Sequence, residues 1–476
     1  PMPANDLRDW IDRIDALGQV RRVNGAGCDE EIGAITDLYM ERVGRPALLF
    51  DEIPGYPPGF RVLANVTTAP ERIAAALDIP QGLSLRAMVE HCRRFHGALP
   101  GIAPRAVDSG PLLENVATGA DIDMLRFPTP KWHEDDGGRY LGTGCAVVMQ
   151  DPDSDWINVG CYRVAVHDRN TLGIMITGGK QGRLIMEKYW RRSEACPVAV
   201  SFGHDPLIYL MAGLHAASGV CEYDVAGGIR GEPVDVVRGA VTNLPLPATA
   251  EIAVEGHIPP GRFEPEGPFG EWTGYYAGGR EKQPVIEVAS LMYRNEPIIL
   301  GTPPRKPPSD DTYISSFLSS SAIWEQMEAA GVPGIKGVWN HEGCGSQMFI
   351  TIAIEQMYQG HSKQAAMAAA GSYAGSYLNK MIVTVDDDID PTDADAVLWA
   401  MCTRLDPDTD VDIMRNCWSS PLDPMAYPDD RRNLNKRMLI DACRPWNRRD
   451  TFPKVAEASA ELKERVRKQW PDLCDI

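Results

Sequence analysis

The 476-residue chain contains no run of the ~18 to 20 uninterrupted apolar residues that a membrane helix needs, which excludes a helical membrane span. Its eleven cysteines, at 28, 92, 145, 161, 196, 221, 344, 402, 417, 443 and 474, form no C-x-x-C pair, so neither a zinc site of usual spacing nor a disulfide scaffold is indicated. Positive charge is also scarce: 47 Lys and Arg against 66 Asp and Glu leave a formal charge of -19. Nucleic acid and anionic membranes need a basic footprint and are disfavoured as partners. The chain has no Walker A spacing, no G-x-G-x-x-G after a strand-like run, no G-x-S-x-G and no H-E-x-x-H, which removes support for P-loop, Rossmann, serine hydrolase and zinc protease readings. The opening PMPANDLRDW has neither a basic nor an apolar leader pattern, and a cytoplasmic protein is expected.

What remains is an ordinary globular composition, 44% hydrophobic and 24% charged, in a chain long enough for two to four domains. Leu7, Trp10, Ile11, Ile14 and Leu17 recur at helical spacing between an Asn5 or Asp6 cap and Gly18. Strand-like and helical runs then alternate as far as a proline-containing connector at 100–111. From about residue 125 to 305 short strand-like runs separated by Gly, Pro and Asp predict a β-barrel or sandwich, interrupted by one helix at 182–194. After residue 312 strands and helices alternate again, followed by an amphipathic helix in KVAEASAELKERVRKQW, suited to packing on a partner subunit. The expected division is 1–112, an α/β unit; 113–311, the β-rich unit; 312–443, a second α/β unit; and 444–476, a helical tail.

The β-rich part carries the candidate chemistry. EGPFGEWTG, residues 266–274, sets Glu266 and Glu271 on either side of a Gly-Pro-Phe-Gly turn. Pro268 and Gly270 allow the turn to fold one carboxylate toward the other, and two carboxylates in a partly dry site acquire different proton affinities. A solvated turn that merely carries two acids is the alternative. In NVGCYR, Arg163 enters an apolar run where an unpaired guanidinium would be costly, so a carboxylate partner is expected, with Glu266 and Glu271 the obvious choices. TGGKQGR, residues 177–183, is glycine-rich, cationic and opens a helix; with Lys180 and Arg183 it suits a phosphate or else forms a solvated hairpin turn. Glu222 and Asp224 of CEYD share a face if extended, and Glu222 with the Asn158 carboxamide suits a hard cation. VDDDID at 385–390 lacks the Gly and Glu of an EF-hand loop and reads as a solvated strand end. His133 and His215 are the histidines best placed to meet a ligand, the alternative being a histidine that satisfies a structural hydrogen bond.

WINVGCYR, CEYDVAGGIRGEPVDVV, EGPFGEWTGYY and DDDIDPTDADAVLWAMCTR, in this order and at these separations, resemble the UbiD-type decarboxylases, over residues 5 to 440. The resemblance implies an α+β, multidomain fold: a central split β-barrel of flavin reductase-like form, flanked by N-terminal and C-terminal α/β domains, the latter mediating homo-oligomerisation as a dimer or hexamer. It implies a reversible, non-oxidative decarboxylase that uses prenylated FMN made by a separate flavin prenyltransferase. The family's Arg-Glu-Glu network maps onto Arg163, Glu266 and Glu271, with Glu271 handling the proton and Glu266 holding Arg163. The cofactor-binding set maps onto Asn158, Arg163, Lys180, Gln181, His215 and Glu222. A divalent ion, usually Mn2+, is implied at Asn158, Glu222 and Gln181; the carboxamide of Gln181 stands at or next to the family's histidine and is the weaker ligand. Lys180 or His215 would then take up phosphate charge, and a K+ ion is implied at the Trp156 carbonyl. GTPPRKPPSDD brings Arg305, Lys306, Asp310 and Asp311 toward the substrate pocket, which favours a phenolic or heteroaromatic acid with CO2 as the second product, or else it forms a solvated loop. An FMN-dependent reductase or oxidase on a similar barrel and a non-catalytic oligomeric scaffold are the competing readings.

Overall fold

The computed structural model describes residues 6–41, 45–96, 99–214, 216–426 and 433–471. The first helix, Leu7–Ala16, starts where the Asp6 carboxylate accepts the Asp9 amide at 2.8 Å, and it buries Leu7, Trp10, Ile11 and Ile14. Leu17, expected on the same apolar face, is 52% exposed, because the chain leaves the helix there into Gly18 at φ +70. Helices Glu31–Met40, Pro70–Leu77 and Leu85–Cys92 accompany a four-stranded sheet. Its order is Val20–Asn24, Ala47–Asp51, Arg61–Ala64 and Ile298–Leu300. The last strand arrives from more than 200 positions downstream, so the sheet is completed by residues that follow the β-rich segment.

The central sheet is antiparallel and ten-stranded. Its path runs Arg139–Gly142, Arg163–Val166, Thr171–Met175, Glu281–Tyr293, Ile252–Ile258, Cys196–Ser201, Ala146–Gln150, Ile157–Gly160. The 13-residue strand Glu281–Tyr293 is long enough to pair also with Asn115–Thr118 and Phe263–Glu266. Among the described residues the two end strands are not paired with each other, so the sheet is a curled half-barrel with an open seam. Its interior is filled by apolar side chains such as Val147, Val164, Leu172, Val198, Val254 and Ile286, all fully buried. The interrupting helix is Gln181–Arg191, one residue earlier at its start than the sequence pattern predicts and three shorter at its end.

The third unit has a five-stranded sheet in the order Ile335–Asn340, Phe349–Ile354, Met381–Asp386, Leu434–Asp441, Val411–Trp418. Helix Asp310–Ala329 begins with a Ser309/Thr312 capping box and packs against the strand Ile335–Asn340. Two of its buried serines are paired: Ser316 donates to the Thr312 carbonyl at 2.9 Å, and Ser320 accepts the Asn340 amide at 2.8 Å. The expectation of a solvated end at 385–390 holds for Asp387, Asp388 and Asp390, which are exposed, and fails at Asp386. Asp386 is buried and accepts from Gln356, Arg404 and the Arg444 amide, while Asp388 receives both guanidinium nitrogens of Arg404 at 2.8 Å. These acids tie strand, helix and chain exit together, and the burial of Asp386 is compensated by paired cations. The tail helix Ala460–Gln469 buries none of its residues in this chain. No described helix is long and apolar enough to cross a membrane.

Candidate active site

A cavity of about 270 Å³ opens on the half-barrel, lined by Asn158, Arg163, Lys180, Gln181, Glu222, Glu271 and Asp311 among others. Sequence distance is erased here by the break at Cys161 and Tyr162. The strand Ile157–Gly160 ends, the chain crosses, and Arg163 begins a new strand paired with other partners, so Asn158 and Arg163 both face the cavity.

Arg163 is held by two carboxylates: Nη1 donates to Glu271 Oε1 at 2.9 Å and Nη2 to Glu266 Oε2 at 2.7 Å. All three side chains are largely buried, at 16% exposure for Arg163, 3% for Glu266 and 12% for Glu271. Burial raises the Glu271 carboxyl to about 7 against the pull of Arg163, and Glu266 pushes it the same way. At neutral pH Glu271 is therefore poised to carry a proton. Phe269 and Trp272 flank it and are themselves buried. The Phe269 ring stacks on Tyr140 with centroids 3.8 Å apart, and the guanidinium lies 5.3 Å from the Phe269 centroid. Arg163 Nε is buried and has no hydrogen-bond partner among the described residues.

A second cluster gathers Asn158, Gln181 and Glu222. The Asn158 amide nitrogen donates to Gln181 Oε1 at 2.9 Å and to Glu222 Oε1 at 3.2 Å, and Glu222 Oε2 accepts the Val159 amide at 2.7 Å. Glu222 and Asp224, read from sequence as an extended pair, instead open the helix Glu222–Arg230, and only Glu222 points to the cavity. Among the described residues no group of three His, Cys, Asp or Glu is placed to hold a metal ion. With the Asn158 carboxamide turned to present its oxygen, the cluster would offer one carboxylate and two carboxamide oxygens, a set whose chemistry suits a hard divalent cation. Lys180, at the start of the helix Gln181–Arg191, also lines the cavity. Burial lowers its ammonium pKa and Asp311 opposes that shift, while burial raises Asp311 and Lys180 opposes it.

Other expected site residues lie elsewhere. Arg183 pairs with Glu187 at 2.6 Å, one turn along its own helix. Arg305 is turned toward Asp37 at 3.2 Å, Lys306 is exposed, and Asp310 binds the Thr67 amide and hydroxyl; none of the three lines the cavity. His133 sits behind the Glu266–Glu271 turn, between Asp37 and Asp136. His215 lies outside the described residues. The Trp156 carbonyl accepts the Asp151 amide at 2.9 Å. Sequence reasoning did not find Tyr162, whose hydroxyl receives the Gly182 amide at 3.1 Å and reaches Asn158 Oδ1 at 3.4 Å. Nor did it find Tyr140, Tyr377 or Asp136, which are recognisable only once distant segments meet.

The 3-octaprenyl-4-hydroxybenzoate carboxy-lyase family matches in three consecutive pieces: its N-terminal domain over residues 11–92, its Rift-related domain over 105–307 and its C-terminal domain over 312–442. The chain belongs to this UbiD family. Among UbiD relatives it is 33% identical to the pyrrole-2-carboxylic acid decarboxylase of Pseudomonas aeruginosa, with 98% of each chain covered. It is 30% identical to the phenolic acid decarboxylase of a Streptomyces species, covering 98% of this chain and 99% of that one. Two solved UbiD-like structures superpose along nearly the whole length. The vanillic acid decarboxylase of Sedimentibacter hydroxybenzoicus in its open form gives a TM-score of 0.86 at 26% identity, with 100% of both chains covered. The UbiD-class enzyme HmfF of Pelotomaculum thermopropionicum, in complex with FMN, gives 0.85 at 28% identity, covering 96% of this chain and 98% of that one.

Proposed function

We propose that this chain is a reversible, non-oxidative decarboxylase of a phenolic or heteroaromatic carboxylic acid, working with prenylated FMN and releasing CO2. The observation that carries the reading is the Arg163 guanidinium bridging Glu266 and Glu271 on the cavity wall, with Glu271 raised to about 7 by burial. Relatives named for pyrrole-2-carboxylic and phenolic acids, and a neighbour solved with FMN, support the substrate class and the flavin. We read the curled sheet as the split barrel of flavin reductase-like form that receives the cofactor, and the third unit as the oligomerisation domain.

Loss of CO2 from an aromatic ring leaves charge that no side chain can absorb, and the modified flavin supplies that electron sink when bound. The residues do the rest. Arg163 presents an always-charged fork toward the cavity, and Glu266 fixes its orientation from the buried side. Glu271, kept protonatable by its dry setting, delivers the proton that replaces the carboxylate, and in the reverse direction removes it. Asn158, Gln181 and Glu222 would hold the divalent cation, of which Mn2+ is the expected one, and the start of the helix Gln181–Arg191 with Lys180 would receive phosphate charge. The Trp156 carbonyl is the proposed K+ contact. Asp311, on the cavity wall, would accept a hydrogen bond from a ring N-H or phenol of the substrate.

The test is co-expression with a flavin prenyltransferase, mass analysis of the bound cofactor, and CO2 release from a panel of aromatic acids. Bound prenylated flavin with turnover of a pyrrole or phenol acid is the expected result. Ordinary FMN without turnover of any acid would favour a reductase or scaffold instead.

A further inference from the structure

Behind the Glu266–Glu271 turn runs a line of charged and polar groups that the reaction above leaves unused. Arg305 Nη1 is 3.2 Å from one Asp37 oxygen, and the other Asp37 oxygen is 3.5 Å from His133 Nε2. His133 Nδ1 lies 3.9 Å from Asp136 Oδ2, which accepts the His133 amide at 2.9 Å. Asp136 Oδ1 accepts the Tyr276 hydroxyl at 3.1 Å, and the Gly270 amide also faces this carboxylate. Four segments far apart in sequence are joined: the helix Glu31–Met40, the loop before Arg139, the turn with its two glutamates, and the loop that leads into helix Asp310–Ala329.

The turn needs this support. Residues 267–280 have no helix or strand, so no ladder sets the height at which Glu271 meets Arg163. Asp136 has a fully buried side chain. Its neighbour Gly137 donates to the Pro268 carbonyl at 2.7 Å, and a Cβ there would stand only 2.0 Å from the Gly267 oxygen, so the backbones meet where any side chain would push the turn away. On the far side a Cβ on Gly274, at φ +88, would stand 3.0 Å from Lys306 Cα.

We propose that Asp136, acting with His133 and Tyr276, is a positioning residue that holds the turn so that the Glu271 carboxyl stands at hydrogen-bond distance from Arg163. The inference rests on the reading of Glu271 as the proton donor. The groups facing Glu271 are Arg163, Glu266, Asp311 and Tyr377, and their influence changes with distance, so a loosened turn changes the proton affinity of Glu271 without removing any group that touches substrate. Burial lowers the His133 imidazole, but Asp37 and Asp136 outweigh that and Arg305's opposition and raise it above the ordinary value.

The experiment compares flavin-loaded wild type with Asp136→Asn, Tyr276→Phe and the double variant. Expected are KM values within about twofold, a kcat lower by about tenfold to a hundredfold for Asp136→Asn, and a displaced basic limb of the pH profile. The double variant should be no worse than Asp136→Asn alone, since the two groups share one bond. Unchanged kcat in Asp136→Asn overturns the proposal, as does a loss that only tracks folded or flavin-bound protein with the limb unmoved. Wild type that releases no CO2 from any acid would defeat the decarboxylase reading instead. The positioning is then read directly, by infrared titration of the Glu271 carboxyl against Glu271→Gln: a midpoint moved in Asp136→Asn upholds it, and an unmoved midpoint rejects it.

Discussion

Glu271 accepts a hydrogen bond from Arg163 at 2.9 Å and still has its carboxyl raised to about 7. An ion pair normally lowers a carboxyl; here burial, with Glu266 already sharing the same guanidinium, prevails. The arrangement separates the two carboxylates by role, because Glu266 is committed to Arg163 from the buried side while Glu271 retains access to the cavity.

Replacing Glu271 by Gln keeps the shape and a hydrogen-bond acceptor but removes the transferable proton. CO2 release should fall by about a hundredfold or more, in the range of lost general acid catalysis. Flavin content, read from absorbance and mass, should be unchanged. A variant that retains most of its rate would remove Glu271 from the proton step.

Because the Glu271 pKa is raised, its acid form is present below about 7 and is lost as pH rises through that value. In the decarboxylation direction the rate should decline on the basic side of about pH 7, by about tenfold per unit where protonation limits turnover. The same sign holds for stability: this carboxyl binds a proton in the folded chain at pH values where it is ionised in the unfolded one, so its contribution weakens as pH rises from the ordinary Glu range to about 7. Rate profiles in a single ionic-strength series will check the first statement and thermal melts the second.

Arg163→Met leaves two buried carboxylates without their shared cation. A buried charge that loses its partner costs about 3 to 5 kcal/mol, so the melting temperature should drop unless the pair takes up a proton. Lowering the pH should therefore restore part of the lost stability in this variant, and calorimetry at two pH values is the measurement. Arg163→Lys should fold better yet remain poorly active, since one ammonium cannot reproduce the two-nitrogen fork.

Chelation of divalent ions should weaken flavin binding by about tenfold or more, and Asn158→Ala should make binding insensitive to the chelator. Quenching of FMN fluorescence during titration, with and without Mn2+, reports both. Asp311→Ala should raise KM for pyrrole or phenol acids more than for a cinnamate-type acid, which offers the carboxylate no ring hydrogen-bond donor.

Much of this was legible in the residues. The helical repeat of 7, 10, 11 and 14, the short strands of the central sheet and the glycine-rich start of Gln181–Arg191 follow from local spacing and turn chemistry. The need of Arg163 for a carboxylate partner follows from its apolar neighbours, and Glu266 and Glu271 do supply it. The misplaced expectations share a cause. Asp386 looks like part of a solvated strand end because the cations that neutralise it, Arg404 and Arg444, come 18 and 58 positions later. Arg305 and Asp310 look like pocket residues because they adjoin Asp311, but the turn into the helix sends them to Asp37 and Thr67.

The sequence by itself determined which segments fold locally, which family's motifs they carry, and which side chains have the chemistry for proton transfer and anion binding, since these depend on residue type and short-range periodicity. Only the tertiary structure decided that Asn158 meets Glu222, that Arg163 meets both glutamates, and that Asp136 meets Tyr276. Those contacts join residues 64 to 140 positions apart, and burial against such partners, rather than residue type, sets where a carboxyl gives up its proton.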